Sequence, residues 1–242
     1  MMLRLMLAGI TGLGLGAGGA YAVGTMQLHP ELTPASYLTE RATIAPQRIV
    51  IGIDLSRSNP LIDDADFAAK VGARVADTIR NLGLASEVHV RTFGSYDASS
   101  NNFHYDAVLS VRNRPDYVAA EVERLLAGTP MLVRQGKWRA QGRTNILAFL
   151  DNVSQSIGCA GLPTTVILAS DGIEDSEYAR LEYSDARLPA PEGRPFAGCA
   201  ELQILGLGVG GNSPMRTVRL RQDWSGWARA AGFRSFQGLN DW

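Results

Sequence analysis

The sequence predicts an α/β fold in which helices cover both faces of a doubly wound, mostly parallel sheet with one antiparallel edge strand. Short apolar runs rich in β-branched residues alternate along the chain with longer segments whose apolar residues recur every three or four positions. The chain has 242 residues, of which 45% are hydrophobic and 19% charged, which is enough for one large domain and some additional chain. This composition excludes a disordered protein and a coiled coil.

The first strands and helix follow one another without long gaps. Arg48 to Asp54 is a continuous apolar run that ends in an acid, which is typical of a strand buried on both faces. The next segment, Asp64 to Leu82, has the apolar period of a helix and ends at Gly83. Strands are then predicted at 87–93 and 105–111, and the short polar turn between them makes the pair an antiparallel hairpin.

The second half of the chain continues the alternation. One helix begins at Pro115 and ends before Gly128, and another spans Thr144 to Ile157. Apolar strands follow at 164–170 and 202–209, and a last helix with an edge strand completes the sheet.

The amino terminus predicts membrane targeting. Arg4 is followed by an uncharged run from Leu5 to Leu28, longer than the roughly 20 residues that span a bilayer, and Ala20-Tyr21-Ala22 matches a secretory cleavage pattern. Residues 1–28 are therefore a cleaved signal peptide or a retained membrane anchor, and both remain open. In either case we expect export to the periplasm or cell envelope. Residues 29–47, interrupted by prolines, are interpreted as a linker that precedes a folded domain at 48–242.

Several function classes are disfavoured by what the sequence lacks. A net charge of −1 gives no attraction to nucleic acid, and two cysteines with three scattered histidines make no zinc site. The nucleophile motif Gly-x-Ser-x-Gly is absent, and the glycine run at 206–211 lacks dinucleotide-binding spacing. These absences count against the common enzyme classes, and a magnesium-dependent phosphohydrolase that uses Asp54 is the enzyme that stays open as an alternative.

Oxygen-bearing side chains collect where the predicted strands end. Asp54, Ser56 and Ser58 follow the first strand, Asp171 follows the strand at 164–170, and Thr144 stands at the entry of a helix. The carboxyl ends of parallel strands meet at one edge of an α/β sheet, which is where such sheets bind ligands. Two carboxylates and three hydroxyls form an all-oxygen set suited to Mg²⁺ or Mn²⁺.

This pattern resembles the von Willebrand factor A (integrin I-like) family and its metal-ion-dependent adhesion site, Asp-x-Ser-x-Ser followed by Thr and Asp. The resemblance covers about Arg48 to Gly238 and matches all five positions. It implies a metal held directly by hydroxyls and partly through water by carboxylates, with the last position filled by an Asp or Glu of a protein partner. The expected function is thus an exported or membrane-anchored binding module; a scaffolding module with a purely structural metal site is the other alternative.

Two segments near the predicted site are candidates for specificity. Thr129 to Gln141 is expected to be a loop beside the metal, unless its tryptophan packs onto the domain body. The insertion from Glu174 to Gly198 carries four acids in its first part and is expected either to cover the metal face or to be a passive surface excursion. The candidate partner-binding residues are Arg57, Arg134, Lys137, Trp138 and Arg143.

The two cysteines are predicted to pair. Cys159 and Cys199 precede the strands at 164–170 and 202–209, which this fold places side by side. Both sulfurs would then lie at the amino-terminal edge of the sheet, and an exported compartment permits their oxidation. Two reduced, buried thiols are the alternative.

Overall fold

The centre of the protein is a six-stranded sheet, seen in a computed structural model that describes residues 39, 41–95, 103–183, 185–210 and 213–242. The predicted targeting segment at 1–28 lies outside the described residues. None of the helices in the described part of the chain is both long and apolar enough to cross a membrane. The strands are β1 (Arg48–Asp54), β2 (Glu87–Phe93), β3 (His104–Val108), β4 (Thr164–Ala169), β5 (Glu201–Leu205) and β6 (Ser235–Leu239).

The strands lie in the order β3-β2-β1-β4-β5-β6. β1 pairs in parallel with both β2 and β4, and β5 and β6 continue the parallel arrangement. Only β3 at one edge runs antiparallel among the described strands, and it follows β2 after ten residues of chain, as predicted for a hairpin.

Helices cover both faces of this sheet, and the predicted fold class is confirmed. One face carries α1 (Ala65–Arg80) and α2 (Pro115–Ala127), while the other carries α4 (Ile146–Ser156) and α5 (Pro214–Ala231). A short helix, α3 (Thr129–Arg134), precedes α4 in the chain.

β1 lies inside the sheet with helices on both of its faces, so its side chains are apolar on both sides. Ile49, Ile51 and Ile53 pack into the core under α1 and α2, and Val50 packs on the opposite side. Burying each such side chain contributes about 1.5–3 kcal/mol relative to leaving it in water. Gly52 faces α4, where a Cβ atom would lie 2.7 Å from the ring of Phe149, so this position has no room for a side chain.

Three predicted boundaries are corrected. The helix predicted from Thr144 begins at Ile146, because the Asn145 side chain caps it by accepting a hydrogen bond from the Ala148 amide at 3.0 Å. The strand predicted at 202–209 ends at Leu205, since the glycines that follow adopt positive φ, 111° at Gly206. The predicted loop at 129–141 contains α3.

The predicted disulfide between Cys159 and Cys199 is present. The two Cα atoms are 5.0 Å apart, and the bond closes a loop of 40 residue steps. Cys199 is fully buried in the core under α4 and α5, and Cys159 packs against the same cluster. The bond joins the loop between α4 and β4 to the carboxyl end of the long β4–β5 connection, just before β5.

We predict that reducing this disulfide destabilises the full-length protein by about 4 kcal/mol. Opening a loop of this length increases the chain entropy of the unfolded state, and this lowers the free energy of unfolding by that amount. The melting temperature, followed by circular dichroism with and without dithiothreitol, measures the effect. The double variant Cys159→Ala/Cys199→Ala is the control, and its lower melting temperature should not change further with reductant. An unchanged melting temperature of the reduced wild type would contradict the prediction.

Candidate metal-binding site

The chain winds outward in opposite directions from β1, through β2 and β3 on one side and through β4 to β6 on the other. The crevice between the carboxyl ends of β1 and β4 is therefore the switch point of the sheet, where open α/β sheets bind ligands. Asp54 is the last residue of β1, and Asp171 follows β4 by two positions. The two predicted carboxylates lie at this crevice.

Asp54 is fully buried, and both of its carboxylate oxygens accept hydrogen bonds. The Ser56 amide donates to Oδ1 at 2.8 Å, and the Ser170 hydroxyl donates to Oδ2 at 2.7 Å. Ser170 was not predicted as a site residue, although the parallel register places it next to Asp54, since Ile53 pairs with Ala169. These contacts fix the orientation of the carboxylate.

Asn59 is a second residue that sequence reasoning missed. Its side-chain amide donates to the Asp54 carbonyl at 2.7 Å and to the Ala169 carbonyl at 3.0 Å, and Asn59 is almost fully buried. The asparagine thus joins the ends of β1 and β4 directly. No short motif in the sequence identifies it, because its two partners are 5 and 110 positions away.

The loop after β1 brings the two serine hydroxyls together. Ser56 Oγ and Ser58 Oγ are 3.3 Å apart. Backbone hydrogen bonds from the Arg57 amide to the Gln141 carbonyl and from the Gln141 amide to the Leu55 carbonyl, 2.9 and 2.8 Å, attach this loop to the segment before α4. That attachment places Thr144 beside the serines.

Thr144 is held by the insertion that follows β4. Its amide and carbonyl form an antiparallel bridge with Asp175, with N···O distances of 3.3 and 2.9 Å. Because Asn145 caps α4, the Thr144 hydroxyl is not used for capping. Thr144 is almost fully buried and lines the same cavity as the two serines.

Asp171 is the residue whose surroundings point most directly to a ligand. The Ile173 amide donates to its Oδ1 at 2.9 Å, but its Oδ2 is buried and has no hydrogen-bond partner within the described part of the chain. Gly172 adopts a positive φ, 72°, and its carbonyl accepts a hydrogen bond from the Trp224 indole at 2.8 Å. The turn after β4 is therefore anchored to α5.

The five predicted ligands converge. Ser56, Ser58, Thr144 and Asp171 line one cavity of about 420 Å³, and Asp54 is linked to Ser56 beneath them. No group of three or more His, Cys, Asp or Glu side chains suited to a metal occurs among the described residues. The oxygens collected here are two carboxylates and three hydroxyls, a donor set in which most ligands are neutral.

The electrostatics of the cavity favour a cation. Burial, followed by the negative charge of Asp171, raises the pKa of Asp54 to about 7 despite its hydrogen bonds from Ser170 and Ser56. Burial also raises the pKa of Asp171, opposed by the hydrogen bond from the Ile173 amide, by the nearby Ser58 hydroxyl and by the charge of Arg216. Two neighbouring carboxylates that resist ionisation are stabilised in their charged form by a divalent cation.

The candidate partner-binding residues do not form one group. Arg57 lines the cavity, and Arg143 is exposed beside Thr144. Arg134 and Lys137 are exposed but are not among the cavity residues. Trp138 packs onto the domain body, which was the alternative to a role in partner binding. It is 8% exposed, and its ring centroid lies 5.7 Å from that of Phe103, so it is not presented to a partner.

Glu174, the first of the four acids in the insertion, supports the start of α4 from the protein interior. This residue is fully buried, and its Oε2 accepts hydrogen bonds from the Ile146 and Leu147 amides at 2.7 and 3.2 Å. A carboxylate at this position satisfies free amides at the start of α4 and complements the helix dipole. Asp175 and Glu182 from the same insertion line the cavity.

Comparison with known proteins does not assign this chain to a family. No protein-family model matches the chain, and a search of curated proteins finds no match. Among solved structures, the chain is similar to the crystal structure of the pilus adhesin SpaC from Lactobacillus rhamnosus GG, with a TM-score of 0.45 and 15% sequence identity. The alignment covers 83% of this chain and 29% of the adhesin chain. At this level of similarity, the function rests on the geometry of the site.

We predict that Glu174→Gln flattens the pH dependence of stability. Burial raises the pKa of Glu174 from 4.5 to about 7, so its contribution to stability is fully present below pH 4.5 and is lost as the pH rises through 7. The loss is at most about 3 to 4 kcal/mol, since one pKa unit corresponds to about 1.4 kcal/mol. Urea unfolding from pH 4 to 8 in EDTA measures it. The exposed acid Asp151 on α4, the helix whose amides Glu174 binds, gives the control Asp151→Asn. Equal dependence of the unfolding free energy on pH in wild type and Glu174→Gln would refute this role.

Proposed function

We propose that residues 48–242 form a von Willebrand factor A-type module that uses a divalent-cation site to bind an acidic group of a protein partner. The observation that supports this most strongly is the buried Oδ2 of Asp171. It has no hydrogen-bond partner in the described structure, and it belongs to a residue that shares a cavity with three hydroxyl side chains. An unpaired buried carboxylate oxygen is costly, and a bound cation removes that cost.

The residues present fit Mg²⁺ or Mn²⁺. Hydroxyls of Ser56, Ser58 and Thr144 are suited to hold the ion directly, with Asp54 and Asp171 supplying the negative charge. When bound, the cation supplies a positive centre that accepts one further oxygen ligand from outside the chain. The hydrogen bonds from Ser56 and Ser170 hold Asp54 in place, so little reorganisation is needed on binding.

A binding role is favoured over phosphoryl transfer by the surroundings of Asp54. A phosphoryl-accepting carboxylate needs an oxygen that substrate can approach, whereas Asp54 is fully buried and both oxygens accept hydrogen bonds. We therefore propose that the protein is not an enzyme.

The scaffolding alternative depends on exposed aromatic residues near the carboxyl terminus. Trp224 is fully buried, and Trp242 packs edge-on against Phe67 with ring centroids 6.0 Å apart. These contacts give the two tryptophans internal roles, and the metal cavity is the better candidate for the partner site.

Export is supported by the disulfide. A structural bond between Cys159 and Cys199 forms and persists in oxidising compartments such as the periplasm or the cell surface. We propose that the domain functions in the cell envelope, delivered or anchored through residues 1–28.

We predict that the full-length protein, purified in detergent, binds one Mn²⁺ or Mg²⁺ per chain by isothermal titration calorimetry. Asp171→Asn should abolish measurable binding, and Thr144→Val should weaken it at least about tenfold because a ligand oxygen is replaced by a methyl group. Thr78→Val on α1 is the matched control, since the exposed Thr78 hydroxyl donates to the Arg74 carbonyl of its own helix. Equal Mn²⁺ binding by wild type and Asp171→Asn would refute the site.

We also predict that capture of a cell-envelope partner depends on the metal. The tagged protein should retain its partner in Mg²⁺, release it in EDTA and fail to capture it as Asp171→Asn, because the partner's carboxylate completes the coordination of the ion. A peptide containing aspartate should compete, and its asparagine counterpart should not. A partner that stays bound in EDTA and to Asp171→Asn would support the scaffolding alternative.

A further inference from the structure

Arg216 is a charged residue in the metal cavity that the proposed function does not yet use. It lies in the first turn of α5, lines the cavity with Ser58 and Asp171, and is half-buried. Its Nε is buried and has no hydrogen-bond partner in the part of the chain that the structure describes. The guanidinium is close enough to Asp171 for its positive charge to oppose the burial that raises the pKa of that carboxyl.

Attraction to Asp171 favours a cation at this position in the free protein, but two other effects oppose it. The first turn of a helix is the positive end of its dipole, so an arginine there is electrostatically unfavourable. The same guanidinium also faces the site proposed to take a divalent cation, which it repels. An anion bound between the guanidinium and the metal position would offset both effects.

The charges that line the cavity also favour an anionic ligand. With a divalent cation bound, Asp54 and Asp171 are neutralised and Arg216 remains as an additional positive charge. Asp175 is paired with Arg180, Nε to Oδ1 3.5 Å, and therefore does not neutralise it. At the exposed rim Arg57 and Glu182 carry opposite charges. The loaded cavity thus carries about one net positive charge, which matches one carboxylate.

We propose that Arg216 positions the anionic ligand: its guanidinium binds the carboxylate that completes the metal coordination, and so couples metal binding to ligand binding. This inference rests on the proposed function. A carboxylate has two oxygens, and the planar guanidinium can hold one while the other faces the metal. In the free protein Arg216 weakens metal binding; with the ligand present it favours the complex. By thermodynamic linkage, the ligand increases the affinity for the metal by the same factor by which the metal increases the affinity for the ligand.

The test measures Mn²⁺ affinity of the full-length protein by electron paramagnetic resonance, with and without the acetylated, amidated tripeptide Ala-Asp-Ala. In the wild type, the peptide should tighten Mn²⁺ binding about fivefold or more, a usual size for coupled sites. Arg216→Gln should bind Mn²⁺ about fivefold more tightly than wild type without peptide, because a neighbouring positive charge is removed. The same variant should lose most of the tightening by the peptide. A purely structural role for Arg216 would not produce these opposite changes.

Three controls separate the outcomes. Arg216→Lys keeps the charge and should retain the weaker metal binding of the wild type, with part of the coupling. Arg229→Gln removes the same charge from an exposed site about 20 Å further along α5, and should behave as wild type. The peptide Ala-Asn-Ala should have no effect. If the wild type binds Mn²⁺ but Arg216→Gln matches it in affinity and coupling, the role of Arg216 is refuted while the metal site stands. If the wild type binds no Mn²⁺, the proposed function and this inference both fail.

Discussion

The burial of Asp54 and Asp171 at adjoining strand ends is the constraint on which the rest of the site depends. Removing an ionised carboxylate from water is strongly unfavourable unless charges or hydrogen bonds compensate. Hydrogen bonds from Ser56 and Ser170 satisfy Asp54, whereas one oxygen of Asp171 is unpaired among the described residues. The crevice is thus built to take up positive charge. A proton and a divalent cation compete for it, because the pKa of Asp54 is raised to about 7.

Sequence reasoning located the carboxylates and hydroxyls because each depends on a local pattern: a strand end, an alternate spacing or the entry of a helix. It also paired the cysteines, since parallel neighbouring strands begin at the same edge. Ser170, Asn59 and Glu174 were missed as supporting residues for a common reason. Each acts on a segment distant in the chain, such as Glu174 on the amides of Ile146 and Leu147. Contacts of this kind depend on register and loop path, which composition and period do not encode.

The insertion after β4 has a structural role that its polar sequence does not indicate. Its buried Glu174 caps α4, and Asp175 forms a backbone bridge with Thr144. Further along, the carbonyls of Leu181 and Tyr183 accept hydrogen bonds from Arg219 on α5, 3.1 and 3.0 Å. The insertion therefore connects the two helices on one face of the sheet and forms one wall of the cavity.

Helix α5 links the fold to the proposed ligand chemistry. Trp224 in its middle donates to the Gly172 carbonyl and so fixes the turn that carries Asp171, while Arg216 in its first turn faces the same carboxylate region. Gly172 has no room for a side chain, because a Cβ atom there would lie 2.4 Å from Leu207. The backbone segments that carry Asp171 and Arg216 are therefore both attached to α5, one through the Trp224 hydrogen bond and the other directly. For the ligand binding proposed above, this attachment reduces the reorganisation of the backbone that carries the two charged groups.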